Sequence, residues 1–409
     1  SPGRARKDFF RFNSAESELK PAMKVCHFIT RLIVGGAQEN TFLSARGLVE
    51  AGHECVMLTG PSEGREGQLL QKMKNPGFEV VECPLFVREI SPFTDLRAIL
   101  HLKKFLQERK FDVLHTHSSK AGIIGRIAGC MAGVPMVVHT IHGLAFGPYE
   151  SRLKNMIYIN AERYAATKCD RIYAVAQAMI DQCLSEKIGR PEQYQVVYSG
   201  MELDRFLEAE PDGELRRSLG IPENRKVVGA IARLFPRKGY EDFFPIASKN
   251  VREQPHTHFL ILGDGPKRYE YEALTESLGI RRHVTFAGLV SPEEVHRYIA
   301  LMDIAAHFSL KEGLPRVAVQ ALAEAKPVVA YHLDGTPEVV INGKTGFTVP
   351  AQDTEAAKNA LLHLLKHPQE AAEMGLRGRE LVKDKFPWQK MSEILIHEYE
   401  TFLAGRKLP

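Results

Sequence analysis

The chain has 409 residues and a formal net charge of +4, with 54 Lys and Arg against 50 Asp and Glu. Its 44% hydrophobic and 25% charged content is ordinary for a soluble globular protein, and at roughly 100–200 residues per domain the length predicts two or three domains. A charge so mild and so interspersed excludes a dedicated nucleic-acid binder, though it suits an anionic substrate or an anionic membrane face. No run reaches the roughly 18–20 apolar residues of a membrane span. The six cysteines, Cys26, Cys55, Cys83, Cys130, Cys169 and Cys183, form no C-x-x-C pair and read as reduced core thiols of a cytosolic protein.

Residues 1–22 are polar and aperiodic and are expected to be a disordered or extraneous extension. Residues 25–29 read as a buried strand, followed by Gly35-Gly36 and a helix over 37–51. That turn is either bare or a place where backbone approaches a ligand closely; it is not G-x-G-x-x-G, so a dinucleotide site is weakly supported. Strands follow over 54–59 and 78–82. The helix over 95–109 carries Lys103, Lys104 and Arg109, a solvated basic face or a membrane-surface contact. A strand from 113, a helix over 121–132 and a strand over 136–139 place His115, His117, His139 and His142 at strand ends. No Cys or carboxylate cluster accompanies them in sequence, which disfavours metal; they read as partners of sugar hydroxyls or phosphate, or as satisfied loop residues. Helices over 158–166 and 176–184 and strands over 171–175 and 194–198 complete this half. The polar stretch 203–224, with Pro211, Gly213, Gly220 and Pro222, is the candidate linker.

A second αβ series starts at Lys226. After a strand over 227–231, Arg233, Arg237 and Lys238 bring three cations to a strand-to-helix turn ahead of Gly239. They are a solvated basic loop or a diphosphate clamp. A helix over 240–251, strands over 258–262 and 284–286, a helix over 292–300 and a strand over 304–307 lead to the stretch 308–330. There Glu312, Gly313 and Pro315 feed a helix, with Pro315 expected at its first position and Val317, Ala321 and Ala325 on one face. A helix start beyond a parallel sheet leaves unpaired amides that attract phosphate. Glu312 repels phosphate and asks instead for a hydroxyl-rich partner, and the two together describe a nucleotide sugar; the plain alternative is an ordinary turn with a solvated Glu. Residues 334–338 form a turn, 343–346 precede a strand over 347–349, and helices cover 354–365, 368–386 and 388–402. The fold class expected is α/β, two Rossmann-like parallel-sheet halves facing a cleft, the default ligand site.

Gly35-Gly36, His139 to Gly143, Arg233 to Gly239, Gly263-Asp264-Gly265-Pro266, Ser309 with Glu312-Gly313, and Gly335-Thr336-Pro337-Glu338, in this order, resemble the retaining GT-B glycosyltransferases of sequence family four. The segment from His115 to Gly122 is similar to bacterial polysaccharide-assembly members. The resemblance spans Met23 to about Leu403. It implies an acceptor domain over 23–202, a linker over 203–224, a donor domain over 225–386, and a helix over 387–409 packing back on the first domain. It implies that Arg233 and Lys238 hold the donor diphosphate and Glu312 bonds a donor-sugar hydroxyl. His142 lies near the transferred sugar, and Gly35 and Gly36 approach the diphosphate from the other domain. Gly263, Gly313, Leu314 and the amides of Arg316 and Val317 complete the nucleotide site, while Val284 to Gly288, Phe286 included, read the base through backbone groups. Two positions depart from the pattern. Gln320 stands where a second carboxylate normally accepts from the ribose, and Asp334 stands where glycine is usual.

The activity implied is transfer of a hexose from a UDP- or GDP-sugar to a hydroxyl acceptor with retained configuration. The acceptor expected is a lipid-linked saccharide in cell-surface polysaccharide or glycoconjugate synthesis. Neither metal nor cofactor is expected, since fixed cations serve the diphosphate, and the location expected is cytoplasmic, peripheral at the inner membrane face. A non-catalytic nucleotide-sugar or glycan-binding homologue, favoured by Gln320, and a GT-B-like epimerase are the alternatives.

Overall fold

The computed structural model describes residues 21–33, 35–61 and 76–406; of the expected extension over 1–22, all but Pro21 and Ala22 lies outside them. Its short apolar runs are buried on both sides, as parallel strands covered by helices require. In the first half these are β1 (Lys24–Ile29), β2 (Glu54–Thr59), β3 (Glu79–Glu82), β4 (Val113–His117), β5 (Met136–Ile141), β6 (Arg171–Ala174) and β7 (Tyr194–Val196). The second half has β8 (Lys226–Ile231), β9 (Thr257–Leu262), β10 (Val284–Gly288), β11 (Ile304–His307), β12 (Val328–Tyr331) and β13 (Gly346–Val349). Among the described residues they form two sheets, ordered β3-β2-β1-β4-β5-β6-β7 and β10-β9-β8-β11-β12-β13. Every ladder between these strands is parallel, with Val25 opposite both Cys55 and Val113, and Ala305 opposite Val328. In both sheets the strand order reverses once, between β1 and β4 and between β8 and β11. Crevices at the carboxyl ends of such reversals are where doubly wound sheets bind ligands.

The last helix, Trp388–Arg406, leaves the second half and packs on the Gly36–Glu50 helix. Gly47 allows the approach, since a Cβ there would lie 2.2 Å from Ser392 Oγ. Trp388, Met391, Leu395 and Tyr399 join the core that contains Val25, Leu43 and Val113. The chain crosses over at Met201, whose N–H donates to Phe386 O (2.9 Å) and whose carbonyl accepts from Trp388 N (3.2 Å).

Several details differ from expectation. The stretch 203–224 is not a bare connector: it carries short helices at Asp204–Leu207 and Gly213–Ser218 and buries Leu203, Phe206 and Ile221. A helix at Arg268–Ser277 was not anticipated, because only Tyr271 and Thr275 of its ten residues are buried and its apolar period is correspondingly weak. Pro315 is the cap rather than the first helical residue. The helix Arg316–Ala323 therefore buries Ala318, Val319, Ala321 and Leu322, leaves Val317 at the edge, and ends before Ala325.

Candidate active site

At the β8/β11 reversal, Gly239 takes φ +85° and caps the helix Tyr240–Glu253; a side chain there would meet Phe308 O at 2.2 Å. This close approach aims Lys238 at the loop beyond β11. Lys238 Nζ donates to Glu312 Oε1 at 2.8 Å, and His307 Nε2 lies 3.7 Å from the same oxygen. Burial works to raise the Glu312 pKa, but Lys238, His307 and hydrogen bonds from Lys238 and Ser309 outweigh it, so the carboxyl titrates below its ordinary value. Burial lowers that of His307, with Glu312 opposing. Gly263, at φ +133°, packs on Ala232 O, and Asp264 O accepts from Leu234 N at 2.9 Å. The glycine turn thereby braces the loop of Arg233, whose guanidinium carbon lies 5.0 Å from the centre of the Phe235 ring.

The first half meets this site directly. A Cβ on Gly36 would lie 2.5 Å from Arg316 Cδ, so the starts of the helices Gly36–Glu50 and Arg316–Ala323 face each other. Arg316 reaches across to the Glu39 carboxylate and to Gly200 O (3.4 Å). A Cβ on Gly313 would lie 2.1 Å from His142 O, and one on Gly335 would meet Gly313 O at 2.5 Å and Ala176 Cβ at 2.7 Å. Further links cross the cleft: Gln182 to Asp334 (3.1 Å), Ala178 N and Tyr198 OH to Glu338 (3.2 and 2.9 Å), and Lys311 to Glu150 (3.6 Å). Between the halves lies a cavity of about 190 Å³ lined by Gly143, Tyr149, Met179, Gln182, Glu312 and Asp334, among others.

The four strand-end histidines separate into two kinds. His115, His117 and His139 are buried and find their partners within the protein: His27 Nδ1 pairs with His117 Nε2 (2.8 Å), His117 Nδ1 with His142 Nε2 (3.0 Å), His115 with Tyr399 OH and Thr140 Oγ1 (2.6 Å each), and His139 with Thr116 (3.0 Å). Of the two readings, these bonds favour satisfied residues over partners of substrate for these three; one ring nitrogen each of His27, His115 and His117 lies within 4.8 Å of the others, a spacing that could hold a metal ion. His142 alone is partly exposed, next to the donor side. Burial lowers His27 and His142 to about 3, with Arg316 contributing at His142. It holds His115, His117 and His139 well below their ordinary value, so all five are neutral at pH 7.

At the β1/β4 reversal the strand ends carry hydroxyls. Thr30 Oγ1 and Ser118 Oγ lie 2.9 Å apart, and Ser118 holds φ 64° with ψ 152°, a region open almost only to glycine that costs another residue about 1–3 kcal/mol. Above them opens a cavity of about 450 Å³ that mixes Arg31, Arg88 and Lys120 with Ile90, Ile123 and Ile157.

Lys238 with Glu312, Gly313 with His142, and Gly36 with the start of the Arg316 helix thus meet along one cleft, with Gly35 opening the facing helix, while Arg233 stands exposed on the loop after β8. Leu314 is a core residue, while Val317 and Gln320 are half-buried on the helix. Val284 is not part of the site: it opens β10, at the end of the sheet away from the cleft, and is buried opposite Phe259. Phe286 lies mid-strand with the guanidinium groups of Arg268 and Arg281 over its ring, at 5.3 and 5.8 Å. Only Gly288 of this strand reaches the cleft end, where its carbonyl accepts from Gly263 N (2.8 Å). Asp334, Glu39, Gln182 and Tyr149 were not anticipated as site residues; the aspartate where glycine is usual was the one available signal.

The family pattern described as Glycosyl transferases group 1 matches residues 212–381, and that of the Glycosyl transferase 4-like domain matches residues 35–200. The chain is 33% identical to the GDP-mannose-dependent alpha-(1-6)-phosphatidylinositol monomannoside mannosyltransferase of Mycolicibacterium smegmatis, over 87% of this chain and 91% of that one. It is 30% identical to the UDP-Gal:alpha-D-GlcNAc-diphosphoundecaprenol alpha-1,3-galactosyltransferase of Escherichia coli, over 69% and 73%. Among solved structures, sucrose-phosphate synthase from Thermosynechococcus elongatus superimposes with a TM-score of 0.80 at 20% identity, covering 93% of this chain and all of that one. Anabaena HepE in complex with UDP and glucose does so with a TM-score of 0.77 at 20% identity, covering 92% and 99%. These likenesses show that the fold is GT-B.

Proposed function

We propose, from the premise that this chain belongs to the group 1 glycosyltransferases and adopts their GT-B fold, that it transfers a hexose from a UDP- or GDP-sugar to a lipid-linked saccharide with retention of configuration. The observation that carries the reading is the Lys238–Glu312 pair at the β8/β11 reversal, facing the Gly36 turn across Arg316. A cation and a hydroxyl acceptor stand side by side there, as a sugar diphosphate requires. The donor's diphosphate lies against Arg233, Lys238 and the amides of Arg316 and Val317, and Glu312 accepts from a sugar hydroxyl. The bond from the anomeric carbon to the phosphate oxygen breaks with its electron pair passing to the diphosphate, where fixed positive groups stabilise the new charge. The acceptor oxygen forms its bond on the same face, and its proton passes to the departing phosphate. His142, neutral, offers a hydrogen bond to the sugar. The domain limits of 23–202 and 225–386, joined by 203–224, belong to this proposal.

The acceptor's place is the cavity over the β1/β4 reversal. Apolar side chains stand exposed beside it: Ile90 (66%) and Phe93 (73%) by the helix Pro92–Arg109, and Leu153 (64%), Met156 and Ile157 on the helix Arg152–Ala166. Exposed apolar side chains gathered on two helices beside one cavity suit a membrane or partner surface. With Arg31, Arg88 and Lys120 within the cavity, it suits an anionic headgroup below a hydrocarbon chain. No described helix is long and apolar enough to cross a membrane. The relatives' names support this acceptor class, since two of them act on a diphosphoundecaprenol-linked sugar and on a phosphatidylinositol mannoside.

The test is a thermal-shift panel of UDP-, GDP- and ADP-sugars followed by transfer assays. A true donor at about 100 times its Kd should stabilise by about 2.7 kcal/mol, and NMR of the product should show the donor's anomeric configuration. If no nucleotide sugar raises the melting temperature, the donor assignment fails; if one binds without any turnover, the non-catalytic alternative takes its place.

A further inference from the structure

Asp334 occupies a position whose backbone suits glycine, with φ +48°. Asp and Asn tolerate that conformation better than other side chains, but not without cost. What offsets the strain is on both sides of the cleft. Asp334 Oδ2 accepts from the backbone N–H of Glu312 at 2.9 Å, and Oδ1 accepts from Gln182 Nε2 at 3.1 Å. Glu312 lies on the loop after β11, whereas Gln182 belongs to the helix Gln177–Ser185 of the first half. The carboxylate therefore makes one bond within its own half and one across the cleft, at the edge of the cavity it shares with both partners. The neighbouring contacts leave no slack: Gly335 N donates to Gly313 O at 3.1 Å, and Gly335 sits against Ala176 of the first half.

We infer that Asp334 is a positioning residue that couples closure of the cleft to the placement of Glu312, so that the carboxylate meets the donor sugar only when water is excluded. The inference rests on the nucleotide-sugar reading above for its substrate. Opening the cleft breaks the Gln182 bond and frees the Asp334 side chain, and the Glu312 amide loses its fixed acceptor. Closed, the loop is held from both ends. A site that completes itself on closure favours transfer over hydrolysis.

Two measurements test it. The first needs no donor: amide exchange of the free protein at Glu312 and across the helix Gln177–Ser185. Asp334→Gly relieves the backbone strain and so should not lower the melting temperature, yet exchange at Glu312 and along that helix should quicken. Asp334→Asn tolerates the left-handed backbone, and its amide can serve Glu312 N–H and a flipped Gln182, so its exchange should match the parent. Exchange unchanged in Asp334→Gly overturns the clasp. The second measurement is the ratio of donor hydrolysis to transfer. It should rise about 3–10-fold in Asp334→Gly, as for loss of a single net hydrogen bond, rise less in Gln182→Ala, and return in Asp334→Asn. An unchanged ratio, or equal loss of both reactions that Asn does not restore, overturns the coupling. If the parent protein turns over no nucleotide sugar, the functional reading fails by itself, and the exchange result still decides the clasp.

Discussion

The two strand-order reversals invite comparison because the same topology carries different groups at its strand ends. At β8/β11 the groups are charged: Lys238 and Glu312 at 2.8 Å, with His307 beside them and Arg233 on the adjoining loop. At β1/β4 they are hydroxyls, Thr30 and Ser118, above a layer of imidazoles that burial keeps neutral. A parallel sheet supplies a crevice at both places, and side chains alone decide what each crevice binds. The charged end suits a diphosphate that leaves with its electrons. The other end, with Arg31, Arg88 and Lys120 in the cavity above its hydroxyls and exposed apolar side chains beside it, suits a hydroxyl nucleophile next to an anionic headgroup.

The contrast breaks most visibly at the charged end. Lys238→Ala removes the ammonium and leaves Glu312 half-buried without its partner; kcat/KM for the nucleotide sugar should fall about 100–1000-fold, as for loss of a donor that stabilises developing charge, measured by initial rates of nucleotide release. Glu312→Gln should cost less, about 10–100-fold, since the amide still accepts a hydroxyl without charge assistance. It should also change the acid limb of stability. The folded pKa of Glu312 is below the ordinary 4.5, so its ionised form contributes stability above that value and loses it as pH falls through the lower folded one; urea titrations between pH 5 and 3 (about the carboxylate range) should show a shallower decline in the variant.

In the imidazole layer beneath the other end the effect is on pH dependence rather than rate. His27 is lowered from 6.5 to about 3. Its neutral form is the stabilising one, fully present above pH 6.5 and lost as pH falls toward the folded value. Each such imidazole contributes a slope of about 1.4 kcal/mol per pH unit in that window. His27→Gln, whose amide can still donate to His117 Nε2, should flatten the slope by about that amount in denaturation measured from pH 7 to 5 (a span of about two units inside the histidine range). The smallest expected change in stability is that of Phe93→Ser with Ile157→Ser, within about 0.5 kcal/mol because both side chains are exposed. This pair should nevertheless abolish sedimentation with anionic phospholipid vesicles if the apolar patch meets a membrane.

Much of this was legible in the chain. The runs before Gly35, Arg233 and Glu312 are short, apolar and followed by glycine, so strands, loops and the cations at their ends could be placed by sequence distance alone. What was not legible required knowing which face a side chain takes or what lies opposite. Ending a strand left His115 and His117 readable as partners of substrate or as satisfied residues, and what decides it is a layer sealed by Tyr399, 284 residues from His115. Val284 was expected in the site only from the family resemblance, yet it opens its strand at the end away from the cleft. Asp334 and Gln182 are 152 positions apart, and nothing local in either marks them as partners. In the helix after Pro315, several stripes of small residues could meet the core by spacing alone, and the one that does runs through Ala318, Val319, Ala321 and Leu322 rather than Val317.

The helix Trp388–Arg406 closes the core of the half that contains β1, although nearly the whole second sheet is made between the two. While the chain is being synthesised, β1 to β7 can assemble early, but the pocket around His115 and Trp388's place over Arg46 and Gly47 stay open until the final helix emerges. The second sheet has no comparable debt to distant sequence. Contacts spanning some 350 residues are slow to form, so the first half should be the last part to reach its finished form and the part that chaperones guard longest.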